Sequence, residues 1–355
     1  MSSDPSPASG AKVVSALLPS SNLPAWPFRR PRAAFRAACL VGAIVHPIAA
    51  ALSPYSWAAD LFSHFREPGL LVTALALVVM LIGRRFRVAA GLGILAIVQA
   101  VSLTGFLGRN PVLPDPAAPP PLRVLMVNVH DENPTYQGVA DLIRKERPDV
   151  VGLVEFTARC SQTLSDLHSD YPYRVEWPAG ARGIALWFRR APVFINQPAQ
   201  FVRGGNPVIH GLIEYAGRPR HIWVVHTINP FWRAWESGNA ELDAIAERVG
   251  TTPGSRIVVG DMNTTEGSAH FRNFLRVSGL RDSRLGFGRQ GSWPTDFFYR
   301  LPIDHAFVSD ELAVVDRRLG PSVGSDHLPL LLDLAPAARP AMTAEAQAST
   351  SPGSR

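Results

Sequence analysis

Three apolar stretches without a charged side chain lie before residue 108, and they restrict what this chain can fold into more than any other feature. The first runs from about Ala37 to Leu52 and can extend to Trp57. The second spans Gly69 to Gly83 and the third Val88 to Leu107. A membrane-crossing helix needs ~20 apolar residues, with ~17 a practical lower end. The third stretch meets this length, and the first meets it when extended. The second is short, although flanking Arg side chains can snorkel to the interface. A buried helical hairpin of a soluble protein is the bland alternative. A cleaved signal peptide would start earlier and give one run rather than three. Three runs bounded by Arg clusters favour a transmembrane region over residues 29–108, with spans near 37–57, 69–83 and 88–107.

Arg placement sets the expected orientation. Arg29, Arg30, Arg32 and Arg36 precede the first stretch, and Arg84, Arg85 and Arg87 separate the second from the third. The loop Ser53 to Pro68 carries Asp60, Glu67 and only Arg66. The positive-inside rule then puts the N-terminus and the Arg84–Arg87 turn in the cytoplasm. With three spans, everything after residue 108 lies outside the inner (plasma) membrane, in a multi-pass protein.

The flanks are of different composition. Residues 1–28 are rich in Ser, Pro and Ala and are expected to be a disordered tail. Residues 109–121 are dense in proline. They are expected to form an extended, semi-rigid spacer that holds the following domain off the bilayer. Residues 336–355 return to Ala, Ser, Thr and Pro, again an expected disordered tail. The net charge of +6 sits in the N-terminal arm, because residues 122–335 hold one acidic group more than basic ones. That domain as a whole is not a basic phosphate-backbone binder. Its chain partners are few in cysteine: Cys39 lies in an apolar stretch and Cys160 in the later part, so no disulfide framework is implied.

From residue 122 the pattern alternates. Short apolar runs read as strands at Leu122–Val129, Val150–Val154, Gly183–Phe188, Val208–Tyr215, His221–His226, Ile257–Gly260, Ile303–Val308 and Leu328–Leu334. Amphipathic runs read as helices at Tyr136–Arg147, Ala234–Val249 and Ser268–Val277. Strands interleaved with helices indicate an α/β domain. Polar residues recur where the apolar runs stop, and strand ends are where such domains place reacting groups. Asn128 ends the first run, Glu155 follows Val-Val-Gly-Leu-Val, and His226 follows Trp-Val-Val. Asp261 and Asn263 follow Ile-Val-Val-Gly, Asp304 and His305 sit in Leu-Pro-Ile-Asp-His-Ala, and Asp326 and His327 sit in Gly-Ser-Asp-His-Leu-Pro. Any one of these has a bland reading as a turn or cap. Together they are harder to dismiss, since carboxylates after apolar runs are costly to bury unless paired or metal-bound. An oxygen-rich set with few cysteines suits Mg²⁺ or Mn²⁺ better than zinc.

These motifs, Met-Val-Asn at Asn128, Gly-Leu-Val-Glu at Glu155, Gly-Asp-Met-Asn at 260–263, Ile-Asp-His at Asp304 and Ser-Asp-His at 325–327, make residues 122–335 resemble the endonuclease/exonuclease/phosphatase superfamily, which has the deoxyribonuclease I-like fold. The resemblance implies a four-layer α/β/β/α sandwich of two mixed sheets flanked by helices. It implies metal-dependent hydrolysis of a P–O ester bond in nucleic acid, phospholipid or inositol phosphate. It also implies roles. Glu155 binds the metal, with Asn128 orienting it and Asp326 completing the set. Asp261 holds or deprotonates the attacking water, and Asn263 fixes phosphate and water. His327, oriented by Asp304, stabilises the charged phosphate, and His226 stands near the leaving group. A membrane-anchored Mg²⁺-dependent hydrolase is thus expected, bound to the lipid bilayer through its N-terminal helices. The contrasting expectation is a catalytically silent membrane protein using the fold for binding. Among the remaining residues, His130 and His305 read as structural, Arg182-Gly183 as a turn and Arg189-Arg190 as a solvated strand end. Trp293-Pro294-Thr295 is a candidate substrate-facing loop. His46 reads as a neutral side chain packed against a neighbouring helix.

Overall fold

Runs of β-branched and aliphatic residues closed by polar residues build the strands, and runs with helical periodicity build the layers over them. The computed structural model describes residues 31–104 and 112–338, so the expected tail at 1–28 and nearly all of that at 336–355 lie outside the described residues. One sheet takes β1 (Leu122–Asn128), β2 (Val150–Val154), β3 (Tyr173–Trp177), β4 (Ile184–Phe188), β11 (Leu312–Leu319) and β12 (Leu330–Pro336), in the order β11-β12-β1-β2-β4-β3. The other takes β5 (Phe194–Ile195), β6 (Ile209–Tyr215), β7 (Arg218–His226), β8 (Ser255–Asp261), β9 (Arg281–Asp282) and β10 (Asp304–Val308), in the order β5-β6-β7-β8-β10-β9. Each sheet has one parallel pair at its centre, β1 with β2 and β7 with β8; the other neighbours are antiparallel.

The period-two alternation of each strand sorts its side chains into two cores. Val124, Met126, Val150, Leu186, Val224, Val259 and Leu332 fill the space between the sheets. Their neighbours Leu125, Val151 and Trp187 face outward beneath α5 (Gln137–Glu146) and α6 (Ala158–Thr163). On the second sheet Trp223, Val258 and Phe307 face outward beneath α7 (Trp235–Gly250) and α8 (Ala269–Ser278). Strands apolar on both sides require cover on both sides. The result is the expected four-layer sandwich. The sequence reading omitted four strands, β3, β5, β9 and β11. All four are sheet edges, and β9 and β5 are two residues long. β11 carries Asp316, Arg317 and Arg318, which hid it among loop-like residues.

The described N-terminal region is helical, and residues 105–107 of the third expected span lie outside the described residues. α1 runs Pro31–Leu52, and does not continue to Trp57. Pro54 cannot donate to a helical ladder and disfavours helix in the residue before it. A separate short helix, α2 (Trp57–Ser63), follows. α3 (Arg66–Ile82) starts three residues earlier than the apolar stretch, and α4 is Phe86–Leu103. Residues Arg32–Leu52 and Phe86–Leu103 are each long and apolar enough to cross a membrane, and α2 with α3 form a bent pair, at 77°, that passes the same test together. Ala43, Ala76 and Ala89 are buried where the helices meet, small residues that let helices approach closely. His46 packs its ring against Gly69, and its Nε2 lies 3.4 Å from the Ser63 carbonyl.

Of the proline-rich segment expected as a spacer, residues 109–111 lie outside the described residues, and residues 112–121 run along the domain. Asp115 starts a turn, accepting from the Ala117 N–H at 2.9 Å, and Pro114 pairs with Ala337 beyond β12. The chain therefore straps along the domain and extends its boundary from 335 to 337. Meanwhile the helical region touches the domain directly. Arg66 pairs with Glu266 at 3.1 Å, the Tyr299 hydroxyl donates to Glu67 at 2.7 Å, and the Ala269 N–H donates to Ser53 Oγ at 3.1 Å. A Cβ on Gly267 would meet the Ser63 carbonyl oxygen at 2.0 Å, so only glycine permits this approach.

Candidate active site

The two parallel pairs decide where the polar side chains meet. Neighbouring parallel strands end at the same edge, so Asn128 and the residue after Val154 emerge together, and His226 pairs in register with Asp261. Asp304, the first residue of antiparallel β10, lies opposite Asp261. Gly260 allows the close approach of β7 to β8, since a Cβ there would fall 1.8 Å from the Val225 carbonyl oxygen. Because the sheets face each other, these ends converge on one cleft of about 790 Å³.

Asn128 is the hub. Its amide donates to Glu155 Oε1 at 2.9 Å and to Asp261 Oδ2 at 3.1 Å, while its Oδ1 accepts from the His130 N–H at 3.0 Å. Ser325 Oγ ties the last motif to the first, donating to the Asn128 carbonyl at 2.7 Å and accepting from the His327 N–H at 3.0 Å. His327 Nδ1 donates to Asp304 Oδ2 at 2.7 Å, which leaves its Nε2 3.8 Å from Asp261. His226 Nε2 lies 3.8 Å from Asp261 and 4.0 Å from Glu155. The Asn263 N–H donates to Asp261 Oδ1 at 2.9 Å, and its amide donates to the Thr227 carbonyl at 2.9 Å. Glu155, His226, Asp261, Asn263, Asp326 and His327 line the cleft; Asn128 and Asp304 stand behind them and hold them.

Burial makes these charges interdependent. It pushes the Asp261 carboxyl up to about 6, with the Asp304 charge adding to the rise and His327 and His226 opposing it. Burial also works against ionised His327, but Asp304, by charge and hydrogen bond, holds the imidazole well above its ordinary range. Asp304 is held below its own range against burial, chiefly by His327. Three cleft residues, His130, Glu155 and Asn263, adopt positive φ of 58°, 57° and 48°. Left-handed backbone is uncommon away from glycine and persists where surrounding contacts fix it. Here the Asp131 N–H donates to Glu155 Oε2 at 3.2 Å, and the Asn263 bonds just described do the same work.

The donor set fits a hard divalent cation. The Glu155 and Asp261 carboxylates share one amide, and His226 Nε2 lies within 4.0 Å of both. Three groups place ligand atoms within 4.8 Å of one another: His130 with Asp131 and Glu155, Glu155 with His226 and Asp261, and Asp261 with Asp304 and His327. Glu155 and Asp261 each belong to two of them. Asp326 belongs to none among the described residues. It accepts from Trp293 Nε1 at 2.9 Å and lies 3.3 Å from His130 Nδ1.

Sequence reasoning missed part of this site. His130, taken as structural, lines the cleft between Glu155 and Asp326. His305 is fully buried, held by the Thr264 carbonyl at 2.9 Å and lowered to about 4 by burial. Trp293, read as part of a candidate substrate-facing loop, lines the cleft, as does Arg182, read as a turn, whose Nε donates to Asn206 Oδ1 at 2.9 Å. Asp60, Leu61, His64 and Phe65 also line it, from the segment between α1 and α3. Nothing in that segment's sequence marked it beyond its low Arg content.

No curated protein sequence matches the chain significantly. Solved structures share the fold. TDP2 from D. rerio, solved with a single-strand DNA product, superposes with a TM-score of 0.53 at 17% identity, over 60% of this chain and 98% of that one. The human Nocturnin catalytic domain with bound sulfate gives a TM-score of 0.50 at 19% identity, over 61% and 94%. A family protein from Leptotrichia buccalis gives 0.50 at 17% identity, over 60% and 99%. The model of the Endonuclease/Exonuclease/phosphatase family matches residues 124–327, an interval that contains all eight of the strand-end residues Asn128, Glu155, His226, Asp261, Asn263, Asp304, Asp326 and His327. The chain therefore belongs to the endonuclease/exonuclease/phosphatase family.

Proposed function

We propose that the chain is a membrane-anchored, divalent-metal-dependent phosphoesterase that hydrolyses P–O ester bonds by in-line attack of water. The observation that carries this reading is the convergence of Glu155 and Asp261 on one Asn128 amide beside the His327–Asp304 pair. Glu155, supported by Asn128 and Asp326, would hold Mg²⁺ or Mn²⁺. Such an ion supplies positive charge to the phosphoryl oxygens and to the leaving oxygen. Asp261, raised toward neutrality by burial, is suited to hold a water and take its proton. Asn263, which lines the same cleft, would fix phosphate and water. His327, kept protonated by Asp304, offers an Nε2 donor to a phosphate that gains charge, the preorganised arrangement that lowers barriers most. His226 stands across from Asp261, where a leaving oxygen would depart.

The substrate class includes nucleic acid, phospholipid and inositol phosphate. TDP2 with its DNA product supports the first of these. In purified full-length protein in detergent, EDTA should abolish hydrolysis and Mg²⁺ or Mn²⁺ should restore it. Glu155→Gln, Asp261→Asn and His327→Ala should each lower kcat by roughly 10²-fold. Full activity in chelator, or three variants at wild-type rate, would refute the mechanism. Metal binding without turnover on any phosphoester would instead favour a silent binding protein.

α1, α3 and α4 supply three spans, with the Arg84–Arg87 turn cytoplasmic and the catalytic domain outside, at the inner (plasma) membrane. An enzymatic reporter on the C-terminus should read as extracytoplasmic; a cytoplasmic signal would overturn this orientation.

A further inference from the structure

The cleft is not walled by the catalytic domain alone. Asp60, Leu61, His64 and Phe65 form one side of it, and they belong to α2 and the turn into α3. This wall is fastened to the domain. His64 Nδ1 lies 2.9 Å from Thr265 Oγ1, and Trp235 Nε1 donates to Asp60 Oδ2 at 3.0 Å. Trp57 packs on Phe231 and Trp232, with ring centroids 5.8 and 5.0 Å apart. Phe65 stacks on Tyr299 at 6.2 Å, and Tyr299 is bonded to Glu67 in the first turn of α3.

The angle between α2 and α3 gives this wall a position. The two helices meet at 77°. With α3 crossing a bilayer, α2 lies along the surface, and the cleft mouth opens at the same level. Aromatic side chains crowd that level, as they do at membrane interfaces. Phe62, Phe231, Trp232, Phe297 and Phe298 are all more than half exposed, Phe298 by 91%. In the cleft itself, Arg182 is the one Lys or Arg among the described lining residues, set against Asp60, Glu155, Asp261 and Asp326. A groove that tracks a nucleic-acid backbone needs rows of Lys and Arg, with aromatics added for the bases. Here the aromatics are present and the rows are not.

We infer that this site takes the phosphoester headgroup of a membrane lipid, entered from the bilayer surface past the aromatic rim while the acyl chains stay toward the membrane. The inference rests on the phosphoesterase reading above and narrows its substrate. Chemically, the oxygen of water bonds to phosphorus, one P–O ester bond breaks, and the proton lost by water ends on the released alcohol. No redox partner is needed.

The test uses the full chain reconstituted with Mg²⁺ in vesicles of phosphatidylcholine, phosphatidylglycerol and phosphatidylinositol. Lipid hydrolysis is followed beside that of single-stranded DNA and of the soluble diester bis(p-nitrophenyl) phosphate. Lipid turnover should exceed DNA turnover. Trp232→Ser and Phe298→Ser should each lower the ratio of lipid to soluble-diester turnover roughly tenfold, the equivalent of about 1.4 kcal/mol. The exposure of Phe298 keeps that variant clear of folding effects. DNA cleavage with lipids intact, soluble-diester cleavage with lipids intact, or an unchanged ratio in both variants would overturn the lipid assignment and leave the phosphoesterase reading standing. Silence on all three substrates would remove both.

Discussion

The helical region and the catalytic domain are built from similar apolar side chains pointed in opposite directions. In the domain, Val124, Trp187, Trp223 and Phe307 are almost completely buried. In the helices, Leu71, Ile94, Ile97, Val98 and Val101 are 60–70% exposed, and only 17% of α4 is buried. A water-soluble domain gains its stability by hiding such surface. A helix that displays it is stable only where the surroundings are themselves apolar, and there the contacts between helices come from small residues such as Ala43 and Ala76. The difference teaches that hydrophobic content alone does not distinguish the two regions. Run length and the absence of charge do.

The largest expected effect breaks this symmetry directly. Phe307→Ala should destabilise the protein by about 3–5 kcal/mol, since it opens a cavity in the outer core of the second sheet. Ile97→Ala, in detergent, should change stability by no more than about 0.5 kcal/mol. Unfolding of the full chain followed by tryptophan fluorescence measures both, and equal losses would mean that Ile97 faces a protein core after all. A smaller effect concerns a carboxyl buried in the domain beside the cleft. Glu241 accepts from the N–H groups of Asn206 and Ile228, two residues that line the cleft, and burial lifts its carboxyl to about 7. A carboxyl raised from its ordinary 4.5 favours the folded state most below that value, and the advantage is lost as pH rises through about 7. The Tm of the wild type should therefore fall across this window, and Glu241→Gln should flatten the fall. A variant with the same slope as the wild type would assign the pH dependence to another group.

Much of the domain was legible in its sequence because short apolar strands are bounded by polar side chains that the fold brings to one cleft. Asn128, Glu155, His226, Asp261, Asp304 and His327 announced themselves in this way. His130 did not, since one histidine after a strand carries no periodic signal, and its entry into the cleft depends on a left-handed backbone at its own position. Edge strands such as β3 were hidden because half-solvated strands mix charged and apolar residues as loops do. The least legible feature was the wall formed by α2. It lies more than two hundred residues from Thr265 and Glu266 in sequence, and no local pattern encodes a contact made only after both regions have folded.

The strap from Val112 to Pro121 gives that wall a practical meaning. Tethers are commonly expendable: cut one, and a working enzyme floats free. In this chain the strap could be severed without touching Asp261 or His327, yet the liberated half would leave Asp60, His64 and Phe65 behind with the helices. Trp235, Thr265 and Glu266 would then face water in place of their partners. What holds the molecule to its surroundings also finishes its working surface, so trimming the anchor does not yield a smaller version of the same enzyme.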